Sequence, residues 1–204
     1  MNATRKLEKP AAPGKPRTAP HEVRIIGGQW RRTKIKVADK PGLRPTPDRV
    51  RETLFNWLGQ DLSGWRCVDV FAGTGALGFE AASRGARDVR LVELDKTLFG
   101  QLEQVKAHLG AGAVVVQVAR GDGVAALKAL GDAALDLVFL DPPFDSALVE
   151  PALLAAGQVI AASGWVDLEA PKKWTDETLA PYRLCVHRHL KAGAVHAHLL
   201  KRTA

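Results

Sequence analysis

Cys67-Val68-Asp69-Val70-Phe71-Ala72-Gly73-Thr74-Gly75-Ala76-Leu77-Gly78 is the stretch whose reading decides the fold. Its apolar start reads as a buried strand that runs into G-x-G-x-x-G and then into an Ala/Leu-rich stretch, 75–84, of helix length. Glycines at a strand–helix turn let the backbone bend sharply and let a ligand touch the main chain. Outward from there, apolar runs at 67–71, 89–92, 113–118, 135–140 and 165–168 alternate with helix-length stretches at 75–84, 96–109, 122–131 and 146–160. That alternation predicts an open parallel α/β sheet with ligand sites at the C-terminal strand ends. Two alternating runs, 182–190 and 194–201, joined at Lys191-Ala192-Gly193, predict an antiparallel hairpin at the sheet edge.

Upstream, residues 24–28 and 34–37 predict two short strands around 29–33, a small β-hairpin with Trp30, Arg31, Arg32 and Lys34 near its tip. Thr46 fits a helix N-cap, Pro47 the first helical position and Asp48 the first turn. Val50, Leu54, Trp57 and Leu58 then form an apolar stripe at helical spacing, and Gly64 closes the segment.

Charge is unevenly placed. The net charge is +7, but residues 1–66 carry 15 Lys/Arg against 6 Asp/Glu, and residues 67–204 carry 14 against 16. A basic arm on a nearly neutral domain points to a polyanionic partner, most simply nucleic acid. Residues 1–21, rich in Lys, Arg, Pro and Ala, are expected to be a disordered basic extension. Residues 22–63 form the expected RNA-binding hairpin and helix, and 64–204 the catalytic domain. At 204 residues and 46% hydrophobic, the chain can bury one full core. No apolar run reaches the roughly 18 residues of a membrane span, and no signal-peptide core is apparent. Cys67 and Cys185 lack ligand spacing, so both read as buried thiols in a reducing compartment, with no zinc site and a cytoplasmic location.

Several residues carry chemistry. Glu93 closes the second strand of the α/β region, where an acid can accept both hydroxyls of an adenosine ribose. Asp69, just before the glycine loop of Gly73, Gly75 and Gly78, suits a diphosphate poorly. It suits a ligand with an ammonium and a sulfonium, which S-adenosyl-L-methionine has. Asp122 can accept from the adenine amino group or cap a helix. After the fourth strand comes Asp141-Pro142-Pro143-Phe144. The Asp141 carboxylate and the Pro142 carbonyl can each accept a hydrogen bond from an exocyclic amine, proline stiffens the turn, and Phe144 can stack on a base. Asp141, Pro142 and Phe144 are therefore the catalytic candidates, for methyl transfer to nitrogen.

The chain resembles the RsmD-type family of bacterial small-subunit rRNA guanine-N2 methyltransferases. The most particular pieces are Arg24-Ile25-Ile26-Gly27-Gly28-Gln29-Trp30-Arg31 and Arg44-Pro45-Thr46 with Asp48 through Asn56. Further matches are Asp69 through Gly78, Ser83-Arg84-Gly85-Ala86, Val92 through Asp95, and Asp141 through Phe144, so that the likeness spans about residues 22–202. It implies a class I S-adenosylmethionine-dependent methyltransferase, Rossmann-like, with seven strands of which the last is antiparallel. It also implies methylation of one guanine of 16S rRNA, in the 30S subunit or an assembly intermediate. Two departures stand out: Arg32 replaces a glycine common in the family, and 166–169 matches loosely, so that Glu169 receives no catalytic role.

The candidate RNA contacts are Arg24, Trp30, Arg31, Arg32, Lys34, Arg44, Arg49 and Arg51, holding phosphates rather than reading bases. Trp30 either stacks on RNA or pins the hairpin to the domain. Phe71 and Phe79 read as core. His187, His189, His196 and His198 alternate along strands and read as a solvated face, not a metal site. Competing readings are an adenine-N6 DNA methyltransferase, a dinucleotide-dependent oxidoreductase and a non-enzymatic RNA-binding assembly factor. Nothing indicates an oligomer, and a monomer is the default.

Overall fold

Two short strands open the fold in the computed structural model, which describes residues 22–38, 40, 43, 46–111, 115–131, 135–144 and 147–203. The expected extension at 1–21, the start of the run at 113–118 and the candidate Arg44 lie outside the described residues. β1 (Glu22–Arg24) and β2 (Lys34–Lys36) pair antiparallel, Val23 opposite Ile35. α1 (Asp48–Leu58) follows. Then come β3 (Arg66–Asp69), α2 (Ala76–Ser83), β4 (Asp88–Glu93), α3 (Lys96–His108), β5 (Val115–Arg120), α4 (Gly123–Lys128), β6 (Leu135–Leu140), α5 (Val149–Val159) and β7 (Ile160–Ala170). A short α6 (Asp176–Leu179) and a 3-10 turn at Ala180–Tyr182 lead into β8 (Leu184–Ala192) and β9 (Val195–Arg202).

The seven strands β3–β9 form one sheet in the order β5-β4-β3-β6-β7-β9-β8. All neighbours from β5 to β7 are parallel, and β9 is antiparallel to both β7 and β8. The C-terminal hairpin thus folds back so that the last strand lies inside the sheet and β8 is the edge. Alternation along the strands sorts the core into two faces. Cys67, Val89, Leu91, Leu137 and Phe139 pack with α1, α2, α3 and the N-terminal strands. Val68, Val70, Val138, Leu140 and Leu168 pack with α4 and α5. Helices on both faces are what a parallel sheet needs to bury its two sides. Ile25, Ile35, Leu54 and Phe55 belong to the same cluster as Phe139, so the segment at 22–63 shares its core with the sheet.

The helix ends differ from expectation in one place. α1 is preceded by Pro47 and makes no side-chain cap. Thr46 is instead buried, with its hydroxyl facing Asp141 and Glu169. The other end of α1 stops at the left-handed Gly59.

Candidate active site at the strand ends

The parallel strands end together, and the chemistry-bearing residues collect at those ends. Asp69 closes β3, Glu93 closes β4, Asp141 follows β6 and Glu169 lies one residue from the end of β7. Asp122, after β5, is exposed and caps α4 by accepting the Ala125 N–H at 2.7 Å.

The glycine loop is tied down from below and from the side. Asp69 is 2% exposed, and its Oδ2 accepts the Gly78 N–H at 3.1 Å. The Phe71 N–H donates to the same carboxyl. Burial pushes the Asp69 carboxyl up to about 7; those hydrogen bonds oppose the shift, while the charges of Glu93 and Glu169 add to it. Glu93 accepts the Gly73 N–H at 2.8 Å through Oε2 and the Asp95 N–H at 2.8 Å through Oε1. Gly75 has φ +78, and a Cβ there would meet Phe79 and Leu102 at 2.6 Å, so only glycine fits this turn. Beside Glu93, Leu94 is 68% exposed, an apolar surface that the sequence reading passed over.

Asp141 is half-buried, Pro142 buried and Pro143 exposed. Phe144, half-buried, lines a cavity of about 320 Å³ with Glu150, Ala170, Pro171, Lys172 and Trp174. The strand ends also hold two acids that received no role from the sequence. Asp167 and Glu169 are 1% and 2% exposed, and both oxygens of Asp167 and Oε1 of Glu169 have no hydrogen-bond partner among the described residues. Burial drives the Asp141 carboxyl well above the ordinary range, with the charges of Glu169 and Asp69 adding to it and a hydrogen bond from Thr46 opposing. Burial likewise raises Asp167, which feels Glu169, Asp141 and Asp69. Glu169 is pushed up to about 7 by burial, against a hydrogen bond from Thr46 and the charge of Arg51.

Among the described residues, such a site is short of positive charge. A cationic ligand relieves uncompensated carboxyls, whereas a diphosphate adds to their repulsion. The orphaned carboxyl oxygens and the glycine loop therefore fit a ligand that carries an ammonium and a sulfonium.

The basic candidates divide. Arg31 and Arg32 are exposed in the hairpin turn, Arg24 is exposed on β1, and Arg49 is exposed on α1. Lys34 is exposed and ion-paired to Glu22 at 2.7 Å, and it lines a cleft of about 980 Å³ with Lys36, Lys96 and Gln101. Trp30 is half-buried and packs on the core, and its N–H donates to Ser83 Oγ at 2.9 Å. Arg51 is a correction. Its side chain is 0% exposed, bonded to Asp48 at 2.6 Å, to Glu80 at 3.4 Å, and to the carbonyls of Arg24 and Thr46, so it faces protein on every side.

The histidines are a second correction. His198 is fully buried because β9 lies inside the sheet. Its Nε2 accepts the Trp174 N–H at 3.0 Å, its Nδ1 faces the Leu168 carbonyl at 3.3 Å, and burial lowers its pKa to about 4. Ring nitrogens of His189, His196 and His198 lie within 4.8 Å of one another, but both nitrogens of His198 are already engaged. Cys67 is buried, whereas Cys185 is only half-buried; both are free thiols.

Residues 23–201 match the model of the family described as Conserved hypothetical protein 95. The chain belongs to this family. Relatives agree with the match. Ribosomal RNA small subunit methyltransferase D of Escherichia coli (strain K12) is 40% identical over 188 residues, 90% of this chain and 91% of that protein. The Haemophilus influenzae protein of the same name is 44% identical over 150 residues, 73% of this chain and 74% of its own length. A solved structure from Escherichia coli, classed as a methyltransferase, superposes with a TM-score of 0.76 at 39% identity, covering 90% of this chain and 99% of that one. One from Haemophilus influenzae, classed as a methylase, gives 0.73 at 33% identity over 90% and 99%. Family and fold together make this member of the Conserved hypothetical protein 95 family a class I methyltransferase. No described helix is long and apolar enough to cross a membrane.

Proposed function

We propose that the protein transfers a methyl group from S-adenosyl-L-methionine to the exocyclic N2 of one guanine of small-subunit rRNA. The observation that carries this reading is the convergence of Asp141 and Pro142 with the Asp69 loop and Glu93 at one end of the sheet. Asp69, the loop at Gly73 and Gly75, Glu93 and Asp122 would hold the cofactor, which when bound supplies a methyl on a positively charged sulfur.

The chain's own residues do the rest. The N2 lone pair of guanine is delocalised into the ring, which makes it a weak nucleophile. Hydrogen bonds from the amine to the Asp141 carboxylate and the Pro142 carbonyl would localise that lone pair and aim it, and in-line displacement gains most from such positioning. Phe144, at the wall of its cavity, offers a stacking face for a base turned out of the RNA, an extrusion that costs a few kcal/mol. Arg24, Arg31, Arg32, Lys34 and Arg49 would hold phosphates, joined by Lys36 and Lys96 along the neighbouring cleft.

The deciding experiment is methyl transfer from labelled S-adenosylmethionine to small ribosomal subunits lacking this modification, followed by digestion to nucleosides and mass identification. N2-methylguanosine at one site is expected. Label in another nucleoside would discard the target. Asp141→Ala should lower turnover by at least about 10²-fold with cofactor binding retained. Equal activity in that variant would remove Asp141 from the chemistry.

A further inference from the structure

Strand register sets Glu169 beside Asp141. Leu140 of β6 is paired with Leu168 of β7, so the next residues, Asp141 and Glu169, stand side by side at the top of two parallel strands. They point to the same face as Phe139 and Asp167, the face covered by α1. The Thr46 hydroxyl, just ahead of α1, reaches both carboxyls. Oε1 of Glu169 has no hydrogen-bond partner among the described residues.

Among the described residues the surrounding charges are few. From α1 comes Arg51, already committed to Asp48 and to Glu80 of α2. From β3 comes Asp69, and from β7 itself Asp167. β9 faces Asp167 and Glu169 with Leu199 and Ala197. Among the described residues, acids thus outnumber the one guanidinium that faces them, and like-charged carboxyls in one site cannot all ionise together.

We propose that Asp141 and Glu169 hold one proton between them, and that Glu169, acting through Asp141, takes up the proton that leaves the acceptor nitrogen. This rests on the amino-methyl transfer reading above. The N–CH3 bond forms as the S–CH3 bond breaks, with that bond's electron pair staying on sulfur. Nitrogen then gives up an N–H proton and keeps the electron pair. The proton passes to the carboxyl pair, which goes from monoanion to neutral and later releases it to water. Glu169 touches neither base nor cofactor; it positions and buffers the proton on Asp141. The Thr46 hydroxyl stabilises the anionic form of the pair.

The test joins two readouts on the whole protein. One is an NMR titration of ¹³C-labelled Asp and Glu carboxyls without RNA, and the other is the rate–pH profile of methyl transfer. In Glu169→Gln the two coupled steps of the pair should collapse to a single Asp141 step lying between them. The rising limb of the profile should move to that single step, and kcat should fall at least tenfold with KM for the subunit nearly unchanged. Thr46→Val should move both curves to higher pH, and Thr46→Ser should restore them. Should Glu169→Gln not fold, the Thr46 variants still decide the direction. An Asp141 titration unmoved in Glu169→Gln and Thr46→Val, with superimposable profiles, would overturn the proposal. If the wild type methylates another nucleoside or none, the functional reading falls, while the titration still decides the pair.

Discussion

Glu80 and Glu169 are equally deep in the protein, 0% and 2% exposed, and their surroundings are opposite. Glu80 is ringed by donors. Its Oε1 accepts from the Gly27 N–H and from Arg84 Nε, both at 2.8 Å, and pairs with Arg84 Nη2 at 2.7 Å. Its Oε2 accepts from the Ile26 N–H at 2.7 Å and from Arg51 Nη1 at 3.4 Å. Glu169 has, among the described residues, an unpartnered Oε1, one hydroxyl from Thr46 and a single cation, Arg51, with Asp141 and Asp167 beside it. Burial alone therefore says nothing about the role of a carboxyl; the donors around it do. Glu80 is the clasp that docks the hairpin and α1 on α2, and Glu169 belongs to a site built to change its protonation.

Removing the clasp should have the largest effect. Glu80→Ala leaves the buried Arg84 guanidinium without its carboxylate, Arg51 with Asp48 alone, and two N–H groups without their acceptor. Breaking a buried pair in this way costs about 3–5 kcal/mol, or roughly 10 °C in a domain of this size. Calorimetry or chemical denaturation would read it. A loss under about 1 kcal/mol would put Glu80 with exposed ion pairs and end the contrast.

Glu169→Gln should act with the opposite sign at neutral pH. The Glu169 carboxyl sits at about 7 in the fold against an ordinary 4.5. Between those values the native state binds a proton that the unfolded chain has released. Stability is then complete below about 4.5 and is lost as pH rises through about 7. The ceiling on that loss is roughly 3 kcal/mol, shared with Asp141. Denaturation of the ligand-free protein at pH 5 and pH 7 should show the wild type weakening more than Glu169→Gln, in which Asp69, Asp141 and Asp167 still titrate. Equal slopes in both would show that Glu169 ionises as an ordinary carboxyl.

These two acids also mark where sequence was readable and where it was not. Periodicity and the glycine loop place β3–β7, because strands buried on both faces and the turn between β3 and α2 leave local patterns. Arg51 was missed because charge hides a position that the spacing reveals. It lies three and four residues before Leu54 and Phe55, on the buried stripe of α1. Its partner Glu80 is 29 residues away. Asp167 and Glu169 stand two apart on a strand, so period two does put them on one face; only the register against β6 shows that Asp141 joins them. His198 looked exposed because the last strand of a chain is easily taken for an edge, and here β8 is the edge.

The smallest effect separates fold from function in the hairpin. Arg32 has φ +70, a left-handed backbone that glycine adopts freely and other residues at a cost of about 1 kcal/mol. Its N–H still donates to the Ile25 carbonyl at 2.8 Å, which holds the turn in place. An arginine kept in a glycine conformation, exposed and next to Arg31, makes sense if its charge is used. Arg32→Gly should therefore stabilise the fold by up to about 1 kcal/mol while weakening binding to subunit RNA and lowering the salt slope by about 1. Arg51→Lys makes the counter-test, since a guanidinium that already faces protein on every side should cost stability and leave the salt slope alone. If instead Arg32→Gly lost nothing in RNA affinity, the turn's strain would have no functional return, and phosphate contacts would have to be sought on Lys36 of β2 and Lys96 of α3.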